Sequence, residues 1–158
     1  MPRLVLFAAC EKAILESDGL SLSVIGVFTG LTVELPESGI DHVPNNAVAV
    51  RNWSIATAWV QTPDDGDKTF EQKIAIVAPD GSQVAGGQIA FRMTHRNHNN
   101  VVRNQGFPVG QTGEYQIELS LREAGEANEW QVVTRFPIQL ARHRRQPEEE
   151  GKEQLATE

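Results

Sequence analysis

The sequence predicts an all-β fold, specifically an antiparallel immunoglobulin-like β-sandwich of seven to eight strands. Three observations predict it. Several segments carry apolar side chains at every second position, the period of a strand with one solvated face. Turn residues, including two Asp-Gly pairs, punctuate these segments at short intervals. No apolar stripe of helical period and length crosses the chain. The 158 residues suit one domain, and 40% apolar against 22% charged side chains is enough to form a core.

The first element is the continuous apolar run Leu4–Ala9, read as a core strand. Ala13-Ile14-Leu15 either extends it or forms a helical turn. Met1-Pro2-Arg3 ahead of this run superficially resembles an export signal, and Phe7-Ala8-Ala9-Cys10 a lipidation box. Only six residues separate Arg3 from Cys10, whereas the apolar region of a signal needs about 7–15. A cytoplasmic protein is therefore expected, and one free thiol suits a reducing compartment. Asp18-Gly19 then turns the chain into a strand from Leu20 through Phe28. Ser54–Gln61 is a further strand. Asn52-Trp53-Ser54 fits a glycosylation acceptor, which is chance without secretion.

Pro79-Asp80-Gly81 joins Lys73–Val77 to Ser82–Met93 as a hairpin. Proline presets one turn dihedral, and glycine supplies a positive φ. Gly86-Gly87 interrupts the second arm, where a bulge or bend is expected. The clearest alternation is Tyr115, Ile117, Leu119 and Leu121 against Glu114, Gln116, Glu118, Ser120 and Arg122. Tyr115 opens this strand, and its hydroxyl is expected to fold back onto nearby backbone, as at the corner of an immunoglobulin-like sandwich. Trp130, Val132, Thr134, Phe136, Ile138 and Leu140 share the inner face of the last strand. Pro137 cannot donate to a ladder, so that strand is expected at an edge or bulged. Residues 1–143 form a single β-sandwich domain, and 144–158, RRQPEEEGKEQLATE, form a disordered charged tail.

Asp18-Gly19-Leu20-Ser21-Leu22-Ser23-Val24-Ile25-Gly26-Val27-Phe28 after Cys10, then Ala78-Pro79-Asp80-Gly81, then Phe107-Pro108-Val109 ahead of Gly113-Glu114-Tyr115, form a recognisable series. It resembles a bacterial family of small uncharacterised immunoglobulin-like β-sandwich proteins of unknown function. The resemblance covers residues 3–141. It implies the sandwich and supplies no activity.

Charge and cysteine content exclude several function classes. A net charge of −7 argues against a nucleic-acid partner and against an anionic membrane surface. Cys10 alone makes neither an internal disulfide nor a cysteine metal cluster. No apolar run approaches the roughly 18 residues of a membrane-spanning helix.

Candidate chemistry is thin. His95 and His98 have the His-x-x-His spacing of two ligands to one metal, but a zinc site needs at least one more. The plainer reading is a solvated Asn-rich loop. His42, beside Asp41, and His143 have no evident helper. Asp64-Asp65-Gly66-Asp67 clusters carboxylates, but calcium needs about 6–8 oxygens, and an acidic loop tip explains it as well. Cys10 reads as a buried, inert thiol. Ser21, Ser23 and Ser54 lie in strands, outside any nucleophile motif. Glu114 and Glu118 belong to a charged outer face. Trp59 and Trp130 read as core. Trp53 has less apolar company and is the candidate for an exposed, sugar-stacking ring.

The expected function is a non-catalytic β-sandwich interaction module. It would bind a protein partner or form a homodimer through an edge strand, with His95–Val109 the candidate edge, or through end loops 62–69 and 95–111. The alternative is a small-ligand, carbohydrate or metal site formed by the His95–His98 and Asp64–Asp67 loops. No catalytic residue, cofactor or metal site is assigned.

Overall fold

The computed structural model describes residues 1–35, 43–125 and 127–144. Among them are nine strands: β1 (Arg3–Leu15), β2 (Leu22–Val27), β3 (Gly30–Leu35), β4 (Val48–Val60), β5 (Thr69–Val77), β6 (Gln83–Arg92), β7 (Asn97–Pro108), β8 (Gly113–Glu123) and β9 (Gln131–Arg144). They form a four-stranded sheet, β2-β1-β4-β7, and a five-stranded sheet, β3-β9-β8-β5-β6. The first is antiparallel throughout. The second is mixed, because β3 runs parallel to β9.

The all-β expectation holds, while nine described strands replace the seven to eight expected. The additional strand is β3. Its Leu31, Val33 and Leu35 alternate as a strand should, but its partner is β9, with Gly30 opposite Gln139. Nothing local to residues 30–35 announces a partner so far along the chain. Ala13-Ile14-Leu15 extends β1, pairing with Val24, Ser23 and Leu22. The stretch 97–100, read as a loop, is the start of β7, an edge of its sheet.

The Asp18-Gly19 and Asp80-Gly81 turns close antiparallel hairpins, β1–β2 and β5–β6, with Gly19 at φ 69° and Gly81 at φ 85°. The Asp18 carboxylate accepts from Leu20 N at 2.8 Å, and Asp80 accepts from Ser82 N at 2.9 Å. These aspartates satisfy the turn amides that glycine's backbone leaves open. Gly86-Gly87 is not bulged: Gly87 sits opposite Ile74 and Gly86 opposite Ala75 in continuous register. The irregularity lies nearer the turn, between Ile76 and Val77.

Pro137 is not on an edge strand, since β9 lies between β3 and β8. Its missing N–H is nonetheless harmless. Gln139 donates its N–H to Thr29 O on the β3 side. Strand alternation turns the Pro137 nitrogen to that same side. There, β3 pairing begins only at Gln139.

The core lies between the sheets. Trp53, Ile55 and Trp59 of β4 meet Phe70, Ile74 and Ile76 of β5 and the inward residues of β8 and β9. Tyr115 is buried, and its hydroxyl donates to Gln111 O at 3.0 Å and accepts from Gln111 N at 3.1 Å. This fixes the corner leading into β8, as the sequence predicts. Two tryptophan assignments are corrected. Trp53 is 2% exposed, packs against Phe28 and Phe107, and donates its indole N–H to Gly106 O at 2.9 Å. Trp130 lies outside the core, between the Lys73 ammonium at 4.8 Å and the Arg122 guanidinium at 4.5 Å. The cause is a register shift that leaves Val133 unpaired between Thr134 and Val132. One extra residue inverts the parity of everything before it.

Candidate functional site

The two end loops named from sequence do meet. Gln61 N–H donates to Arg96 O at 2.7 Å, and Asp67 N–H donates to Met93 O at 3.1 Å. Gln61 Nε2 also reaches Met93 O at 3.2 Å. The side chains proposed as ligands do not converge, however. Among the described residues no three His, Cys, Asp or Glu side chains gather as a metal-binding group.

Several are held by other contacts. Asp65, at 1% exposure, ends the 3-10 turn Pro63–Asp65. Its carboxylate accepts from Thr62 N at 2.8 Å and from the Thr62 hydroxyl, and it pairs with the Met1 ammonium at 2.8 Å. Burial alone would raise its pKa. The ammonium and the Thr62 donors outweigh that and hold the carboxyl below its ordinary value. Asp64 and His95 are exposed. Asp67 occupies a left-handed backbone position at φ 59° and faces Arg92 at 3.6 Å. His143 is exposed on β9, and Asp41 and His42 lie outside the described residues.

His98 points between the sheets. Its ring stacks on Phe91, with centroids 4.6 Å apart, and its Nε2–H donates to Asn100 Oδ1 at 2.9 Å. Burial depresses its pKa, with the Asn100 bond opposing. Asn100 Nδ2 in turn donates to Gln72 Oε1 at 3.3 Å. The same oxygen accepts from the Thr57 hydroxyl at 2.9 Å and from Trp59 Nε1 at 2.9 Å. An indole nitrogen only donates, so the oxygen arm of Gln72 must face it. The neighbouring Asn99 ties β7 to the β1–β2 turn by donating to Gly19 O and Leu20 O. The Asn-rich stretch is thus strand rather than loop, with His98 and Asn100 half-buried, Asn99 held by the β1–β2 turn and Asn97 exposed.

Two features were not legible as a site. The first is Gln72, which is 1% exposed on the inward face of β5 between Phe70 and Ile74. A polar residue on an apolar parity was the available signal. The second is β6. The first nine of its ten residues, Gln83–Phe91, carry no charge, Arg92 ends it, and Gln83–Gln88 are all exposed. Beneath it, between β6 and β7, lies a half-open cleft of about 280 Å³. Met93 N–H donates across the ladder to Lys68 O. By alternation, Ala85, Gly87, Ile89 and Phe91 bond to β5, while Gly86, Gln88 and Ala90 turn their N–H and C=O groups outward.

Nucleophile candidates are occupied elsewhere. Cys10 is buried, its thiol donates to Ser54 O at 3.5 Å, and burial pushes its pKa up. Glu118 pairs with Arg135 at 2.8 Å, and Glu114 accepts from Gln116. Among the described residues no helix is long and apolar enough to cross a membrane.

No curated protein matches the chain. Residues 5–129 match a family of unknown function (DUF6941), and the chain belongs to that family.

Proposed function

We infer that the protein is a non-catalytic β-sandwich interaction module that binds a partner protein by adding a strand to β6. The observation that carries this reading is the unguarded edge. Edge strands are normally blunted by charge, proline, bulges or brevity. Between the register shift beside Gln83 and the exposed Arg92 at its end, β6 presents the uncharged stretch Ala85–Phe91 with the outward ladder groups of Gly86, Gln88 and Ala90. The other edges are better protected. β7 carries Arg103 and ends at Pro108. β3 has Glu34. β2 has six residues, with Gly26 at φ 66° breaking its line.

We read the sandwich as immunoglobulin-like. The orders β1-β4-β7 and β9-β8-β5 fit the A-B-E and G-F-C orders of immunoglobulin sheets. The Tyr115 corner at the start of β8 fits the tyrosine corner of strand F. A bacterial, cytoplasmic setting suits the lone buried thiol. The acidity favours a protein partner over nucleic acid or anionic lipid.

Proline at position 88 or 90 removes an outward donor and leaves the β5–β6 ladder bonds in place. Gln88→Pro and Ala90→Pro are therefore expected to stay folded and to lose any partner that cross-linking captures with the unmodified chain. Amide exchange at Gly86, Gln88 and Ala90 should slow in the captured complex. A partner retained equally by both proline variants overturns the edge reading. A partner that proves to be a second copy makes the protein a homodimer through this same strand.

A further inference from the structure

We propose that the cleft between β6 and β7 is a binding site for a small, neutral, mainly apolar molecule that presents one hydrogen-bond acceptor to Gln72 Nε2. This goes beyond the edge-strand reading, because it concerns the space between the sheets and not the outer ladder of β6.

Three observations carry it. The first is a buried donor without a partner. Gln72 Oε1 is held by Trp59, Thr57 and Asn100. The Trp59 indole fixes which arm is oxygen. Gln72 Nε2 is thereby left as the other arm, buried, and among the described residues no acceptor lies within hydrogen-bonding reach of it. Gln72 lines the cleft. The bonds run from His98 to Asn100 to Gln72, so the network ends on a donor. An unpaired buried donor has lost its water without gaining a partner, a penalty that an acceptor in the cleft would relieve.

The second observation is the shape. Ile74 and Ile76 of β5 form one wall, and Ile55 and Val102 come from the facing sheet. On β6 the inward positions opposite Ile74 and Ile76 are Gly87 and Ala85. A Cβ added at Gly87 meets nothing within 4 Å. The cleft therefore exists because two inward positions of β6 carry almost no side chain. Its 280 Å³ would hold about ten non-hydrogen atoms, scaling from the roughly 150 Å³ that accommodates benzene.

The third is the charge. No lining residue is ionisable; the polar ones are Gln72, Gln88 and Asn104. A carboxylate there would be desolvated without a counter-charge. The fitting ligand class is a neutral ketone, ester or amide on an aromatic or short aliphatic body.

The test is a titration of the methyl-labelled full chain with acetophenone, ethylbenzene and benzoate, followed by NMR. These probes share a ring and differ in the acceptor and the charge. Acetophenone is expected to shift the methyl signals of Ile55, Ile74, Ile76 and Val102 saturably. It should bind about tenfold more tightly than ethylbenzene, the effect of about one net hydrogen bond, and benzoate should bind most weakly. Gly87→Leu and, independently, Ala85→Leu should abolish the saturable shifts while leaving the melting temperature near that of the parent. If one variant fails to fold, the other carries the test. No saturable shift at those methyls, equal binding of ethylbenzene, or unchanged binding by a folded filled variant overturns the proposal.

Discussion

At the scale of single residues, two of the candidate ligand side chains, Asp65 and His98, are held in structural contacts. Asp65 closes a turn against Thr62 and the Met1 ammonium, and His98 is stacked on Phe91 and bonded to Asn100. Their pKa shifts give a pH signature. Burial holds His98 below its ordinary value. The unfolded chain therefore binds a proton first as pH falls. The stabilisation is complete above about pH 6.5 and is lost as pH falls from there through the depressed folded-state value. Asp65 and Asp80 are also depressed, but their losses come below about pH 4 and do not overlap that window. Thermal melts between pH 7 and pH 5 should show a falling midpoint. His98→Phe, which keeps a ring against Phe91, should flatten that slope. The slope is the readout, because the variant also leaves Asn100 Oδ1 without its donor and lowers stability at every pH. An unchanged slope would rule out His98 as its source.

At the scale of elements, side-chain parity and ladder direction decide what a substitution does. In β6 the inward residues also bond to β5, while the outward residues turn their amides to solvent. Ile89 is inward and opposite Gln72. Ile89→Pro removes a ladder bond, leaves its acceptor on β5 unpaired and is expected to cost about 1–3 kcal/mol. Gln88→Pro, one residue away, should cost less than about 1 kcal/mol, because its N–H faces water. Denaturant unfolding of the two variants checks this; equal destabilisation would refute the assigned ladder direction. The same logic explains Pro137, a proline tolerated in an interior strand because its nitrogen faces the stretch beyond the start of β3 pairing.

At the scale of the whole molecule, the chain passes repeatedly between two sheets, and its third strand pairs with its last. Such pairing closes long loops before it gains contacts. Refolding from denaturant is expected on the millisecond-to-second scale of all-β sandwiches, as measured by stopped-flow tryptophan fluorescence. Microsecond refolding would contradict the topology. Sheet order also creates the cleft. β6 and β7 are edges of different sheets and are joined only by residues 93–96, so neither is covered by a further strand of its own sheet. The space between them is filled only as far as their inward side chains reach. At Gly87 and Ala85 that is hardly at all.

The sequence by itself determined the local events. Alternation in β8 set its inner face, Asp18-Gly19 and Pro79-Asp80-Gly81 made both hairpins, and Tyr115 made its corner. These depend on residues close together in the chain, where backbone geometry and side-chain period leave few choices. Only the tertiary structure decided that Trp130 lies outside the core and Trp53 within it. It also decided that β3 joins β9 in parallel and that Gln72, its Nε2 buried and unpaired, lines a cleft. Each of these depends on register between distant segments. A single extra residue such as Val133 reverses a face, and nothing nearby in the sequence records which strand will stand opposite.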